Sequence, residues 1–171
     1  MALRQAVSEN DHIQGNSQAP IELVEYGDYE CPHCGRAYPI LKEMQNQLGS
    51  NLKFVFRNFP LSKIHPHAKS AAIAAEAASH QNKFWEMHDI LFENQRRLTS
   101  TAVREYAQKI QLDMSKFEND ILDSSIAEKI DAEFYSGMRS GVNATPTFFI
   151  NGEKYDGTPA DLQVFIETTF L

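Results

Sequence analysis

The only two cysteines of the chain stand in Cys31-Pro32-His33-Cys34, where an extended apolar run from Ile21 to Tyr26 gives way to a helical pattern. That junction constrains the fold more than any other feature, because it demands a strand feeding a helix whose first turn carries both sulfurs. Two thiols two residues apart can close a small disulfide ring. The first gains from the unpaired N–H groups and the positive dipole end of the helix, which favour its thiolate. Structural thiols scatter over apolar faces instead, and Pro32 at the first helical position is pre-set for helix initiation. A zinc site does not fit, since a closed site needs four ligands, no second Cys pair exists, and His65 and His67 have H-x-H spacing.

Around this junction the pattern orders the chain as β-α-β, a helical stretch, then β-β-α. Residues 1 to about 20 read as an arm or edge segment. In the first strong strand Ile21, Leu23 and Glu25 point one way, Val24 and Tyr26 the other. Ala37, Ile40, Leu41, Met44 and Leu48 recur at helical spacing up to Gly49, and Lys53 to Pro60 is a second, aromatic-rich strand. Strand, helix, strand predicts a parallel βαβ unit. From about residue 62 to 141 no strand signal occurs. Phe84, Met87, His88, Leu91 and Phe92 share one helical face, and Ser125-x-x-Glu128 predicts a capping box. Asn151-Gly152 between Thr147–Ile150 and Glu153–Tyr155 predicts a hairpin. Thr158-Pro159-x-Asp161 opens a last helix whose Leu162, Phe165, Ile166 and Phe170 are expected to face the core. The expectation is an α/β fold with a central mixed sheet, one domain over 1–171 with a helical insertion at about 62–141.

Several function classes are disfavoured. Sixteen basic against 23 acidic residues give a formal charge of −7 with no basic block, so no nucleic-acid partner is expected. No apolar run is long enough to span a bilayer, so membrane insertion is not expected either. The N-terminus lacks a stretch of signal-peptide length, which as written predicts a cytoplasmic chain; a removed leader would instead place it in the periplasm or another extracytoplasmic space. His80 and His88, like His65 and His67, stand in no metal or hydrolase motif and are read as cap, surface or core residues. No metal or organic cofactor is expected.

Within the dithiol, Cys31 at the helix start is the expected nucleophile, and Cys34 one turn in is the resolving thiol. His33 between them is expected to add positive charge and hydrogen bonding to the Cys31 thiolate. Asp28 and Glu30 are read as only moderating local charge.

Cys31-Pro32-His33-Cys34 after a strand, the helical insertion, and Ala144-Thr145-Pro146-Thr147 before the terminal hairpin together resemble the DsbA-like thiol-disulfide oxidoreductases of thioredoxin fold. The Arg57-Asn58-Phe59-Pro60-Leu61 stretch and the segment from Asn143 to Gly152 are most similar to small bacterial members. The resemblance implies a cis Thr145–Pro146 bond packed against the dithiol, with the Thr145 backbone free to pair with an extended substrate. Thr145 departs from the Val of the best-known oxidant, which puts a hydroxyl beside the sulfurs. The resemblance also makes Glu25 the buried acid beneath Cys34, able to relay its proton. The implied partners are protein thiols or disulfides and a redox recycling protein. The competing expectation is a thioredoxin-like binding or chaperone module whose Cys pair is incidental or regulatory.

Overall fold

The computed structural model describes all 171 residues. Its sheet has five strands, β1 (His12–Gly15), β2 (Ile21–Gly27), β3 (Leu52–Asn58), β4 (Thr147–Ile150) and β5 (Glu153–Tyr155), in the spatial order β1-β3-β2-β4-β5. β2 and β3 run parallel, and every other pairing is antiparallel. Helix α1 (Pro32–Leu48) makes the crossover from β2 to β3. Between β3 and β4 come α2 (Ala68–Ser79), α3 (Phe84–Glu93), α4 (Ser100–Lys109), α5 (Met114–Asp120) and α6 (Ser124–Arg139), and α7 (Leu162–Phe170) ends the chain.

The two central strands are buried on both faces, as a strand with neighbours on each side and helices above and below must be. Ile21, Leu23, Phe54 and Phe56 feed a large core shared with α1, α2, α3, α4 and α7. Val24, Tyr26, Val55 and Phe149 form a smaller one against Phe59 and Val142. Alanines at 68, 71, 72, 74, 75, 77 and 78 are all buried, so α2 can approach its neighbours closely. On the second face Arg57 is 1% exposed; its guanidinium meets both Asp11 oxygens at 2.7 and 3.0 Å and the carbonyls of Gln5 and Ala6. Stranding a buried charge costs about 3–5 kcal/mol, so this pair ties the N-terminal arm to the sheet.

Asn151 and Gly152 take left-handed φ of 48° and 85°, the backbone that a two-residue hairpin turn needs. Asn151 Oδ1 also accepts the Glu22 N–H at 2.8 Å, which locks the hairpin to β2. Two sequence expectations fail. Helix α6 is capped by Asp123, whose carboxylate accepts the Ser125 N–H at 2.9 Å, so Ser125 lies inside the helix and its box does not form. On α7 only Leu162 and Ile166 are buried, while Phe165 and Phe170 are each 40% exposed. The short C-terminal helix presents a single narrow stripe to the sheet.

Candidate functional site

β2 ends at Gly27, and Asp28-Tyr29-Glu30 turns the chain so that Cys31 becomes the N-cap of α1, in extended conformation (φ −71°, ψ 121°) with Pro32 opening the helix. The Cys31 N–H donates to Asp28 O at 3.1 Å, and Cys31 O accepts the Gly35 N–H at 3.0 Å. An N-cap side chain faces the first free N–H groups of a helix, and here that side chain is a thiol. The Cys31 thiol is pushed down to about 5, first by the neighbouring Cys34 thiol as donor, then by Thr145 and the backbone N–H groups of Cys34 and His33, against a burial that raises it. Cys34 moves the other way, well above its ordinary value, through burial, its bond to Cys31 and the charge of Glu25. Both residues are nearly closed off from solvent, Cys31 to 3% and Cys34 to 0% exposure.

The Thr145–Pro146 bond is cis. Cys31 Sγ donates to Thr145 O at 3.4 Å, and Thr145 Oγ1 is buried without a hydrogen-bond partner. Thr145 thus offers an acceptor to the neutral thiol and a donor to the thiolate. Thr145→Val keeps the shape and deletes the donor; the midpoint of Cys31 alkylation against pH is expected to rise by roughly half a unit to one unit, since a hydrogen bond to a charged group is worth about 1.5 kcal/mol or less net here. An unchanged midpoint would assign the hydroxyl no part in the charge balance. Beside the sulfurs an open groove runs between α1 and this loop, lined by Arg36, Ile40, Thr145, Pro146 and Pro159.

Glu25 lies within β2 at 2% exposure, with Oε1 unpartnered. Burial, and after it the negative charge of Cys31, push its carboxyl up to about 8. His33 is placed differently from expectation. Its ring is exposed and its Nδ1 lies 2.7 Å from the Arg36 Nη2, so that nitrogen accepts from the guanidinium and is not turned to the sulfurs. What His33 gives the sulfur is its backbone N–H.

Asp28 and Glu30 do more than moderate charge. Asp28 Oδ2 accepts the Leu61 N–H at 2.9 Å and meets His65 Nδ1 at 2.8 Å, while Oδ1 accepts the Glu30 N–H at 2.8 Å. Glu30 Oε2 accepts the His67 N–H at 2.6 Å, with His67 Nδ1 3.2 Å from the other oxygen. Two acids in alternation therefore meet two histidines in the same alternation, and the matched D-x-E and H-x-H spacings were the signal that could have found them. His88 is a core residue, bonded by Tyr29 Oη at 3.1 Å, and burial pushes its pKa down. No group of three or more His, Cys, Asp or Glu side chains is arranged to hold a metal ion.

A family model described as thioredoxin matches residues 7–168. The chain is similar to a thioredoxin-like oxidoreductase from Silicibacter pomeroyi DSS-3, at 25% identity over 94% of this chain and 92% of that one, with a TM-score of 0.83. It shares its fold with the thiol-disulfide exchange protein alpha-DsbA2 from Wolbachia pipientis, at 21% identity over 94% of this chain and 86% of that one, TM-score 0.82. Among curated proteins it is 41% identical over 150 residues to a protein named Na(+)/H(+) antiporter NhaA 1 from Salinispora arenicola, a match covering 88% of this chain and 23% of that protein. The chain spans about a quarter of the length of the curated relatives it matches.

Proposed function

We propose that this chain, which belongs to the thioredoxin family, is a DsbA-like thiol-disulfide oxidoreductase that exchanges disulfides with protein cysteines through Cys31 and Cys34. The observation that carries the reading is the split between the two thiols, one pushed down to about 5 at a helix N-cap and the other held up by burial a turn further in. A low-pKa sulfur is the better attacker at neutral pH and the better leaving group. In the reducing direction the Cys31 thiolate attacks a client disulfide, forming a Cys31–client mixed disulfide and releasing one client thiolate. Cys34, its proton taken by Glu25 in the ionised form that this carboxyl reaches as pH nears 8, then attacks Cys31 Sγ, closes the Cys31–Cys34 disulfide and frees the second client thiolate. Two electrons pass to the client; the reverse sequence oxidises a client dithiol. Thr145 O and the groove beside Pro146 receive the client segment as an added strand. His33 and Pro32 serve through the helix start they build, and no cofactor enters.

The curated relatives are named for antiport, and the segment this chain shares with them is about a quarter of their length. No helix of the chain is long and apolar enough to cross a membrane. The direction of exchange follows the surroundings: a glutathione-rich compartment holds such a dithiol reduced, an oxidising one lets it donate its disulfide.

The test is catalysed reduction of insulin by dithiothreitol, together with trapping by Cys34→Ser. If Cys31 attacks first, the Cys34→Ser chain incubated with oxidised clients accumulates mixed disulfides that dithiothreitol releases. A wild-type chain that does not accelerate insulin reduction, or a Cys34→Ser chain that traps nothing, would favour a binding module with an idle Cys pair.

A further inference from the structure

Gln95 follows α3 in the helical stretch, and its side chain reaches back beneath the dithiol turn. Its Nε2 donates to the carbonyl of Tyr29 at 3.0 Å and to that of Cys31 at 2.6 Å. The orientation of the amide is set by chemistry, because the reverse would place an oxygen against two carbonyl oxygens. The Cys31 carbonyl also accepts the first bond of α1, from Gly35 N at 3.0 Å, whereas Gln95 is the sole donor to Tyr29 O. Gly35 makes room for this contact. A Cβ at that position would collide with Gln95 Oε1 and lie 2.8 Å from its Cδ, so the glycine after Cys34 makes room for the amide rather than serving the helix, which alanine would favour.

We propose that Gln95 is a positioning residue for the dithiol: by bonding the carbonyls on either side of Glu30 it holds Cys31 in the extended N-cap conformation that points its sulfur at the His33 and Cys34 N–H groups, and Gly35 is its space-making partner. The inference rests on the reading of Cys31 as the reacting thiolate. Gln95 touches backbone only, so it acts through Cys31. Without it the turn from Asp28 to Cys31 keeps its side-chain ties to His65, His67 and His88 but loses the one that holds its backbone carbonyls, and an orphaned carbonyl at Tyr29 would rotate toward any other donor. The sulfur then spends less time over the helix start, and its charged form is less favoured.

The test measures Cys31 alkylation against pH, and the equilibrium with glutathione at neutral pH, for the full chain and for Gln95→Ala, Gly35→Ala and the double variant, each checked for a cooperative melt. Gln95→Ala is expected to raise the alkylation midpoint by up to about one unit, the limit reached if the whole worth of the lost hydrogen bond is felt by the charged form alone. The glutathione equilibrium then moves up to about tenfold toward the enzyme disulfide, because one pH unit is a tenfold change. Gly35→Ala is expected to do the same by displacing the amide, although alanine is the better helix former. The double variant should go no further than Gln95→Ala alone, since both changes break one contact. Should Gln95→Ala fail to fold, Gly35→Ala carries the measurement. Folded variants whose midpoints match an acidic wild type overturn the positioning role. A wild-type Cys31 that titrates as an ordinary thiol overturns the proposed exchange activity instead.

Discussion

Cys31→Ser is expected to abolish catalysed insulin reduction, a loss of about 10³-fold or more that leaves only the uncatalysed rate of dithiothreitol. A hydroxyl is not ionised at neutral pH and cannot enter a disulfide, so no part of the exchange survives. The usual objection, that the variant has merely unfolded, is met by the position itself. Cys31 is the N-cap of α1, where the sulfur makes no cap hydrogen bond, and serine is among the residues most favoured there, since its oxygen can accept the free N–H groups of the first turn. The melt should therefore stay cooperative while turnover vanishes. Residual turnover near that of the wild type would move the chemistry to another residue.

Glu25→Gln is expected to stabilise the reduced protein at alkaline pH and leave it unchanged in acid. The Glu25 carboxyl is held up to about 8 in the fold against an ordinary value of 4.5. A carboxyl raised on folding contributes most below its unfolded pKa, and that contribution is lost as pH climbs to the folded value. Between about 4.5 and 8 the unfolded chain is ionised while the folded one is not, so the wild type loses stability throughout that window. At about 1.4 kcal/mol per unit, the difference at pH 9 reaches roughly 5 kcal/mol as an upper bound. Neutral Gln at the same site is not subject to that loss. Urea unfolding of both proteins at pH 4 and pH 9 reads the effect: a gain at pH 9 only agrees, and an equal change at both values would make Glu25 a packing residue with no displaced charge. The same substitution removes the proton acceptor beneath Cys34, so at pH 8 and above, where the Glu25 carboxyl is ionised, closure of the Cys31–Cys34 disulfide is expected to slow by about 10²-fold, the lower range for loss of a general base.

Much of this arrangement was legible before any coordinates. The Asn151-Gly152 turn, the two-faced strand from Ile21 to Tyr26 and the apolar stripe of α1 are local patterns that burial cannot override, and the structure has each of them in place. The cysteine pair was legible because a helix start acts on whatever side chain caps it. What escaped was decided at long range or by close competition. Asp123 outcompetes Ser125 as a cap from two residues earlier. Asp28 and Glu30 find their histidines 37 residues downstream, and Gln95 reaches Cys31 across 64. His33 read as the charge nearest the sulfur, yet its ring nitrogen is taken by Arg36, a neighbour one helical turn away on an exposed face. Phe165 and Phe170 share a stripe with Leu162 and Ile166, but only the latter two are buried, and half of that stripe is left outside.

The most direct measurement is the ultraviolet thiolate absorbance of the reduced full chain as a function of pH, with Cys34→Ser and Cys31→Ser assigning the two steps. One thiolate should appear with a midpoint near 5 and disappear in Cys31→Ser, while the second thiol stays protonated well beyond 9. Two thiols ionising together near 9, the ordinary value for cysteine, would contradict the account.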